Sequence, residues 1–171
     1  MNKIIYFLVL LFLIHTEIHA ENNMQSYKLG GVLALAANSD PKTFNPLLAS
    51  ETSSTYFTDI FFRGLMIEDI EHNCMKPALA ESYTVSKDKL TWTFTLRNNL
   101  KWSDGEEITA NDVVYTFNDL IYNDKIPTAL KTIFIIGGRK INVKAVTNKK
   151  ILFKLPDKFF PFLSQLSTPI L

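Results

Sequence analysis

The chain has 171 residues, 47% of them apolar and 20% charged, and its formal net charge is +1. This length and composition are typical of a globular protein with a sizeable core, organised as one domain or as one domain and part of another. The near-zero charge gives no electrostatic basis for binding nucleic acid or acidic membranes. We therefore expect no nucleic-acid partner.

The N-terminus has the pattern of a secretory signal peptide. Lys3 supplies a positive charge, and the stretch 4–14 is an unbroken apolar run of 11 residues, followed by the more polar stretch 15–20. Such a run is shorter than the roughly 20 residues that span a bilayer. The sequence predicts a signal peptide over residues 1–20 with cleavage after Ala20, and a retained membrane anchor is the alternative.

Cysteine content agrees with export to a bacterial periplasm. Cys74 is the one cysteine of the sequence, so no intramolecular disulfide can form. No cysteine lies near the predicted cleavage site, and a lipid-anchored lipoprotein is therefore not expected. Export without disulfides suits a Gram-negative periplasmic protein that relies on its core.

The first predicted elements are a strand and a helix. The apolar run Val32–Ala36 predicts a buried strand, which ends at a turn over 38–41. Hydroxyl and carboxylate side chains over 51–54 favour a helix start. Gly64 suits the C-terminal cap of that helix. Its apolar face is predicted to be core, and consists of Tyr56, Phe57, Ile60 and Phe61.

Two antiparallel hairpins follow from alternation with period two. A short strand over 65–67 and a turn at His72-Asn73 precede the first hairpin, which joins 83–86 to 90–96. The second joins 140–147 to 150–155 across Asn148-Lys149. The stretch 129–136 is ambiguous between helix and strand, Gly137-Gly138 predicts a turn, and 159–166 predicts a short apolar helix with Pro161 in its first turn.

A turn and a capped helix are predicted between the hairpins, over Leu100–Tyr122. Asp104-Gly105 is a strong turn signal, and Thr109 with Asp112 forms a capping-box pattern. Pro127 prevents further helix growth. One face of the helix is apolar, through Val113, Val114, Phe117, Leu120 and Ile121.

Catalytic and metal chemistry find little support. His72 and Cys74 lie two residues apart without a second pair, whereas a structural zinc site needs four nitrogen or sulfur ligands. A turn histidine and a small buried cysteine are the better interpretation. Neither a G-x-S-x-G elbow nor a phosphate-binding glycine loop occurs. We expect no enzyme, no metal and no cofactor.

Three blocks of the sequence resemble one known family. The stretch 101–117 follows the pattern K-W-x-D-G-x-x-x-T-A-x-D-V-V-[YF]-[ST]-F. It is met by Lys101, Trp102, Asp104, Gly105, Thr109, Ala110, Asp112, Val113, Val114, Tyr115, Thr116 and Phe117. The stretches 30–46 and 77–97 match further blocks. All three are similar to the family 5 extracellular solute-binding proteins, the peptide, dipeptide and nickel receptors of ABC importers, in which 101–117 is mostly scaffold.

The resemblance implies a mixed α+β fold, the N-terminal part of a periplasmic-binding-protein-like type II fold. Residues 21–50 would begin the large lobe, and residues 51–171 would form the small N-terminal subdomain. Family members are much longer than 171 residues, so we expect the chain to be truncated relative to them, with a missing second lobe and weak ligand affinity.

The resemblance also implies a function. The chain would be the periplasmic substrate-binding component, or a fragment of it, of an ABC importer for oligopeptides. Its partners would be an oligopeptide ligand and the permease subunits in the inner membrane. The candidate ligand-binding residues are Leu47, Leu48, Ser50, Glu51, Thr52 and Ser53. A plain surface loop is an equal interpretation of this stretch.

Two alternatives stay open at this point. The chain could be a non-functional gene remnant, or a free-standing periplasmic interaction domain without a ligand.

Overall fold

The computed structural model of the chain describes residues 30–32, 34–169 and 171. The predicted signal peptide over 1–20 lies outside the described residues and stays a prediction. Within the described part, no helix combines the length and the apolar character that crossing a membrane requires. The chain divides into two units, Met1–Ala36 and Ala37–Leu171. The predicted lobe boundary at residue 50 stays a prediction.

The described residues of the predicted strand Val32–Ala36 do not form a strand. The described residues of this stretch are irregular, and Val32 and Leu35 are 97% and 52% exposed. An extended segment becomes a strand only when neighbouring strands satisfy its N–H and C=O groups. The described residues of this stretch have no such ladder, so the apolar pattern alone gave the wrong expectation.

Helices and strands alternate irregularly along the second unit, as expected for an α+β fold. In chain order they are α1 (Thr52–Phe61), β1 (Met66–Asp69), β2 (Cys74–Pro77), β3 (Ala80–Val85), β4 (Thr91–Leu96), α2 (Ala110–Tyr115), a π-helical segment (Thr116–Ile121), α3 (Leu130–Ile133), β5 (Ile135–Ile136), β6 (Arg139–Lys140), β7 (Asn142–Thr147), β8 (Lys150–Lys154) and α4 (Phe162–Gln165). The ambiguous stretch 129–136 holds both a short helix and a short strand.

The central sheet is antiparallel with strand order β3-β4-β8-β7. Both predicted hairpins are confirmed, since β3 pairs with β4 and β7 pairs with β8. The β4–β8 pairing joins the hairpins and places Phe94 opposite Ile151. Two smaller antiparallel pairs, β1-β2 and β5-β6, lie outside this sheet.

The core contains a cluster of buried phenylalanine rings. The inner face of the sheet contributes Phe94 and Phe153, the π-helical segment contributes Phe117, and α4 contributes Phe162. The Phe153 ring centroid lies 5.3 Å from that of Phe117 and 5.5 Å from that of Phe162. These edge-to-face contacts add to the free energy of burial and hold the helices on the sheet.

The capping box of α2 is confirmed. The Asp112 carboxylate accepts hydrogen bonds from the Thr109 backbone N–H at 2.7 Å and from the Thr109 hydroxyl at 2.8 Å. The buried face contains Val113, Phe117 and Ile121, while Val114 and Leu120 are half-buried. The π-helical continuation after Tyr115 was not predicted, because periodicity does not distinguish a π-turn from an α-turn.

The helix α1 forms where predicted, but the side of it that is buried is not the predicted aromatic side. Its buried residues are Ser54 and Thr58, whereas Tyr56, Ile60 and Phe61 are 43%, 50% and 63% exposed. The predicted assignment of the aromatic face to the core is therefore wrong. Ser54 lies on the buried side of α1, where its hydroxyl accepts hydrogen bonds from the backbone of the preceding loop. These bonds favour the observed orientation of the helix.

Gly64 does not cap α1, which ends at Phe61 with extended Phe62 at the C-cap position. A side chain on Gly64 would instead collide with the backbone of Leu166 and Ser167. The glycine serves close approach of two backbone segments and not a left-handed cap. The prediction that Gly64 caps the helix is therefore wrong.

Tyr122 carries a buried polar link between two segments. Its hydroxyl donates to the Phe134 carbonyl at 2.9 Å and accepts from the Ile141 N–H at 3.0 Å. Burial raises the pKa of this hydroxyl to about 12, against the smaller opposing effect of the Ile141 bond. The folded state therefore holds the phenol proton more tightly than the unfolded chain does.

Replacing Tyr122 with phenylalanine is expected to cost about 1–3 kcal/mol near pH 7, because the buried Phe134 carbonyl and Ile141 N–H lose their partner. The unfolded tyrosine ionises near pH 10 and the folded one near pH 12. The stabilising contribution of the hydroxyl is thus complete below pH 10. As the pH rises from 10 towards 12, the free energy of unfolding of the wild-type protein falls by about 2–3 kcal/mol on this account. Urea unfolding of both proteins at pH 7, 10 and 11.5 measures this, and a gap that does not narrow would contradict it.

Candidate functional site

The loop before α1 is held in place by one buried hydroxyl. Ser54 Oγ accepts hydrogen bonds from the backbone N–H groups of Lys42 and Thr43 at 3.0 and 3.2 Å, and donates to the Glu51 carboxylate. That bond lowers the pKa of the Glu51 carboxyl. Because Ser54 bonds both the loop at residues 42–43 and Glu51, the loop over 42–50 has a defined position relative to the start of α1.

A tight turn then presents two leucines. Asn45 Oδ1 accepts the Leu47 N–H at 3.0 Å, and the Asn45 carbonyl accepts the Leu48 N–H at 3.1 Å. This Asx-type arrangement replaces helix or sheet bonds. Leu47 is half-buried against the core, whereas Leu48 is 42% exposed.

These leucines form one wall of an apolar cleft with a volume of about 700 Å³. That volume lies within the range of about 300–1,000 Å³ of small-ligand sites. The lining residues come from four separate parts of the chain and are mostly apolar. They are Asn45, Pro46, Leu47, Leu48, Phe62, Trp102, Asp112, Tyr115, Thr116, Leu120, Lys125, Ile126 and Pro127.

The π-helical segment shapes the far wall of the cleft. Phe117 and Ile121 are buried in the core, while Tyr115 is 57% exposed and Leu120 is half-buried along the cleft. The Thr116 hydroxyl donates to the Asp112 carbonyl at 2.9 Å. π-turns of this kind are frequent at functional sites, and this one brings Tyr115 and Leu120 to the same side.

Two charged residues line the cleft. The Asp112 carboxylate already accepts two bonds from Thr109 and is committed to the helix cap. Within the described ranges, Lys125 has no carboxylate at ion-pair distance from its ammonium. The cleft therefore offers a bound molecule apolar walls and one free cation.

The structure separates the predicted site residues into two groups. Leu47 and Leu48 line the cleft, and Ser50, Glu51, Thr52 and Ser53 do not. These four lie at the start of α1, where Glu51 is the N-cap residue. A ligand role for any of the six stays a prediction.

The sequence analysis did not identify Trp102, Tyr115 and Ile126 as residues of the cleft. Trp102 and Tyr115 belong to the stretch that was interpreted as scaffold, and Ile126 belongs to the connection after it. One signal was available, since Tyr115 lies outside the apolar face of its helix. The assembly of segments about 80 residues apart could not be derived from periodicity.

The His72–Cys74 region is an ion-pair cluster. The Asp69 carboxylate pairs with the Lys76 ammonium and lies 2.8 Å from His72 Nδ1. Lys76, and to a smaller extent His72, lowers the pKa of the Asp69 carboxyl. His72 lies in a turn as predicted, but Cys74 is exposed, because it is in a two-stranded ribbon without a covering layer. The predicted buried cysteine is wrong.

Comparison with known proteins identifies the family. Residues 75–171 match the family model described as bacterial extracellular solute-binding proteins, family 5 Middle. The chain belongs to this family. The predicted family is confirmed, and so is the mixed α/β fold as a portion of the type II fold. Members are solute-binding proteins, so the general role of the family is binding.

Several relatives of this family 5 chain carry peptide-binding names. It is 29% identical to the dipeptide-binding protein DppE of Bacillus subtilis, with 87% of this chain and 30% of the relative covered. It is 44% identical to the oligopeptide-binding protein SarA of Streptococcus gordonii, with 71% of this chain and 21% of the relative covered. The chain thus spans less than a third of the length of these relatives.

A solved structure with the same fold is the ABC transporter substrate-binding protein CtaP of Listeria monocytogenes. Its TM-score with this chain is 0.69 at 30% sequence identity, and the match covers 78% of this chain and 26% of CtaP. The described unit therefore has the fold of part of a larger binding protein.

Proposed function

We propose that this chain is a ligand-facing portion of a periplasmic oligopeptide receptor that delivers its ligand to the permease of an ABC importer. Family membership and the names of the relatives support the ligand class. The observation that carries the proposal is the apolar cleft beside Leu47 and Leu48, since one side of it comes from the predicted ligand loop. The role is binding, without a catalytic step.

The cleft suits the apolar side chain of a peptide. Its walls are leucine, isoleucine, proline and aromatic side chains, and apolar contact contributes roughly 25 cal/mol for each Å² removed from water. The chain spans less than a third of the length of these relatives, so the residues described supply a part of the binding surface of a full receptor. We expect a dissociation constant of about 1 mM, equivalent to about −4 kcal/mol.

Fluorescence of Trp102 tests the proposal. The sequence has two tryptophans, so Trp92→Phe leaves Trp102 in the cleft as the single reporter. Titration with the capped tripeptide acetyl-Ala-Leu-Ala-amide should change its emission with a millimolar dissociation constant. Leu48→Lys should weaken binding at least about five-fold, or about 1 kcal/mol, because it places a charge in an apolar wall.

The matched control is Val146→Lys, which adds the same charge at a 56% exposed position of β7. It should leave the dissociation constant unchanged. The proposal fails if the emission of Trp102 does not respond at about ten times the expected dissociation constant, or if both lysine variants weaken binding equally.

A second candidate, an interaction domain without a ligand, is favoured by the aromatic face of α1. Phe44 and Phe61 are 56% and 63% exposed, and the Phe44 ring lies 6.0 Å from both Phe57 and Phe61. Exposed apolar clusters of this kind mark interaction surfaces. Thermal stabilisation separates the candidates, because a ligand at ten times its dissociation constant stabilises a receptor by about 1.4 kcal/mol and leaves an interaction domain unchanged.

A further inference from the structure

A second, smaller groove lies at one edge of the central sheet, and it shares no residue with the cleft. Its volume is about 230 Å³. Strands β3 and β4 and the segment before α4 supply its lining, which combines aromatic or apolar side chains with lysine. The lining residues are Tyr83, Val85, Lys89, Trp92, Lys158, Phe159 and Phe160.

The aromatic floor of the groove is held in a fixed arrangement. The rings of Tyr83 and Trp92 lie 5.8 Å apart with an interplanar angle of 33°. The Trp92 indole N–H donates to the Lys89 carbonyl at 3.2 Å, which ties the ring to the β3–β4 turn. Both rings are half-buried. Part of their surface therefore remains open to a ligand.

The rim of the groove joins an exposed ring to two cations. Phe160 is 88% exposed, although five other phenylalanines among the described residues are completely buried. The Lys89 ammonium lies 5.9 Å from the centroid of the Phe160 ring, within the range of a cation–π contact. Lys158 adds a second ammonium to the lining.

Among the described residues no carboxylate lines this groove, so the charge of its two ammonium groups is not compensated within the lining. The nearest acidic residues along the chain are Asp88 and Asp157. Asp88 accepts bonds from the Ser86 hydroxyl and the Leu90 N–H, and Asp157 pairs with Arg139 at 2.6 Å. In the part of the chain that the structure describes, neither Lys89 nor Lys158 has a carboxylate at ion-pair distance.

We propose that this groove binds an aromatic carboxylate, with the ring between Trp92 and Phe160 and the carboxylate beside Lys89 and Lys158. The ring of such a ligand would contact the aromatic surface of the lining, and its anion would pair with the unpaired positive charge. The groove is smaller than the roughly 300 Å³ at which sites for whole drug-sized ligands begin. It therefore takes one ring and not an extended peptide.

The same chemistry has two sources, a free aromatic acid and the C-terminal phenylalanine of a peptide. We expect 3-phenylpropionate to bind with a dissociation constant of about 1 mM, since a ligand of this size has few contacts and the lysines are exposed. The tripeptide Ala-Ala-Phe with a free carboxyl group measures the second source. Tighter binding of either molecule identifies the source, and binding of either supports the site.

Nuclear magnetic resonance titration of the full chain tests the site. The Trp92 indole N–H should shift with 3-phenylpropionate, and the uncharged 3-phenylpropionamide should bind at least about five-fold more weakly, because it lacks the anion. The double variant Lys89→Gln/Lys158→Gln should bind the acid no better than wild type binds the amide. Phe160→Ala should weaken both ligands at least about three-fold, as expected for loss of aromatic contact.

The matched control is Lys144→Gln, which removes an exposed lysine of β7 and should leave binding unchanged. All substituted side chains are exposed, and far-ultraviolet circular dichroism verifies that each variant is folded. The site is overturned if acid and amide bind equally, if the double variant binds like wild type, or if the shifts map outside the groove. None of these results bears on peptide binding at the cleft, because the capped peptide used there has no carboxylate.

Discussion

Replacing Phe153 with alanine is expected to lower the free energy of unfolding by about 3–5 kcal/mol. Phe153 is completely buried, and its ring lies 5.6 Å from Phe94, 5.3 Å from Phe117 and 5.5 Å from Phe162. Truncation would remove contacts with the sheet, the π-helical segment and α4 together. Domains of this size have only about 5–15 kcal/mol of stability in total, so much of it would be lost.

Urea denaturation followed by far-ultraviolet circular dichroism measures this loss. Phe160→Ala is the matched control, because it makes the same chemical change at an 88% exposed position and should alter stability by less than about 0.5 kcal/mol. Phe153→Leu should lie between the two, since leucine refills part of the space. A Phe153→Ala protein within 1 kcal/mol of wild type would show that the rings do not form the central core.

Substituting Gly64 with alanine should have the second largest effect, about 1–3 kcal/mol or more. An added Cβ would lie 2.7 Å from the Ser167 carbonyl carbon and 2.8 Å from its oxygen, and still closer to the Leu166 carbonyl oxygen. These are backbone atoms, which cannot move aside as a side chain can. The C-terminal segment would have to separate from residues 63–66.

Hydrogen exchange locates that separation. The Met66 N–H donates to the Leu166 carbonyl at 3.1 Å. The Arg63 N–H donates to the Leu171 carbonyl at 2.7 Å, and the Leu171 N–H donates to the Arg63 carbonyl at 3.2 Å. Gly64→Ala should remove protection from the Met66 and Leu171 amides. Gly105→Ala is the contrast, because Gly105 has open space around it but a φ of +94°; it should lose about 1 kcal/mol without exposing those amides. Unchanged protection in Gly64→Ala would contradict the close approach.

Local patterns predicted most of the fold. Alternation in β3, β4, β7 and β8 identified both hairpins, and Thr109 with Asp112 identified the start of α2. In these cases the residues that set the structure are neighbours along the chain. Asn148-Lys149 and Lys87–Lys89 are turns for the same reason.

The wrong predictions share a physical cause, which is dependence on distant partners. Val32–Ala36 has a strand composition but no ladder among its described residues. The side of α1 that is buried depends on the bonds of Ser54 to residues eleven and twelve positions earlier, and not on its aromatic stripe. Cys74 is small and apolar enough for a core, yet the ribbon β1-β2 leaves it exposed.

Two of the thirteen residues that line the cleft were candidates from the sequence. Leu47 and Leu48 were candidates because of the family resemblance. Trp102 and Ile126 reach the same cleft through the packing of α2 and the segments on either side of it. That arrangement is a property of the folded unit, and no spacing in the sequence encodes it.

Mapping the binding site by nuclear magnetic resonance decides whether the cleft is the ligand-facing surface of this family 5 chain. Acetyl-Ala-Leu-Ala-amide, titrated into the labelled full chain, should shift the amides of Leu48, Tyr115 and Ile126 along one binding curve. Shifts confined to the aromatic face of α1 or to the groove at Phe160, or no shifts at ten times the expected millimolar dissociation constant, would contradict that assignment.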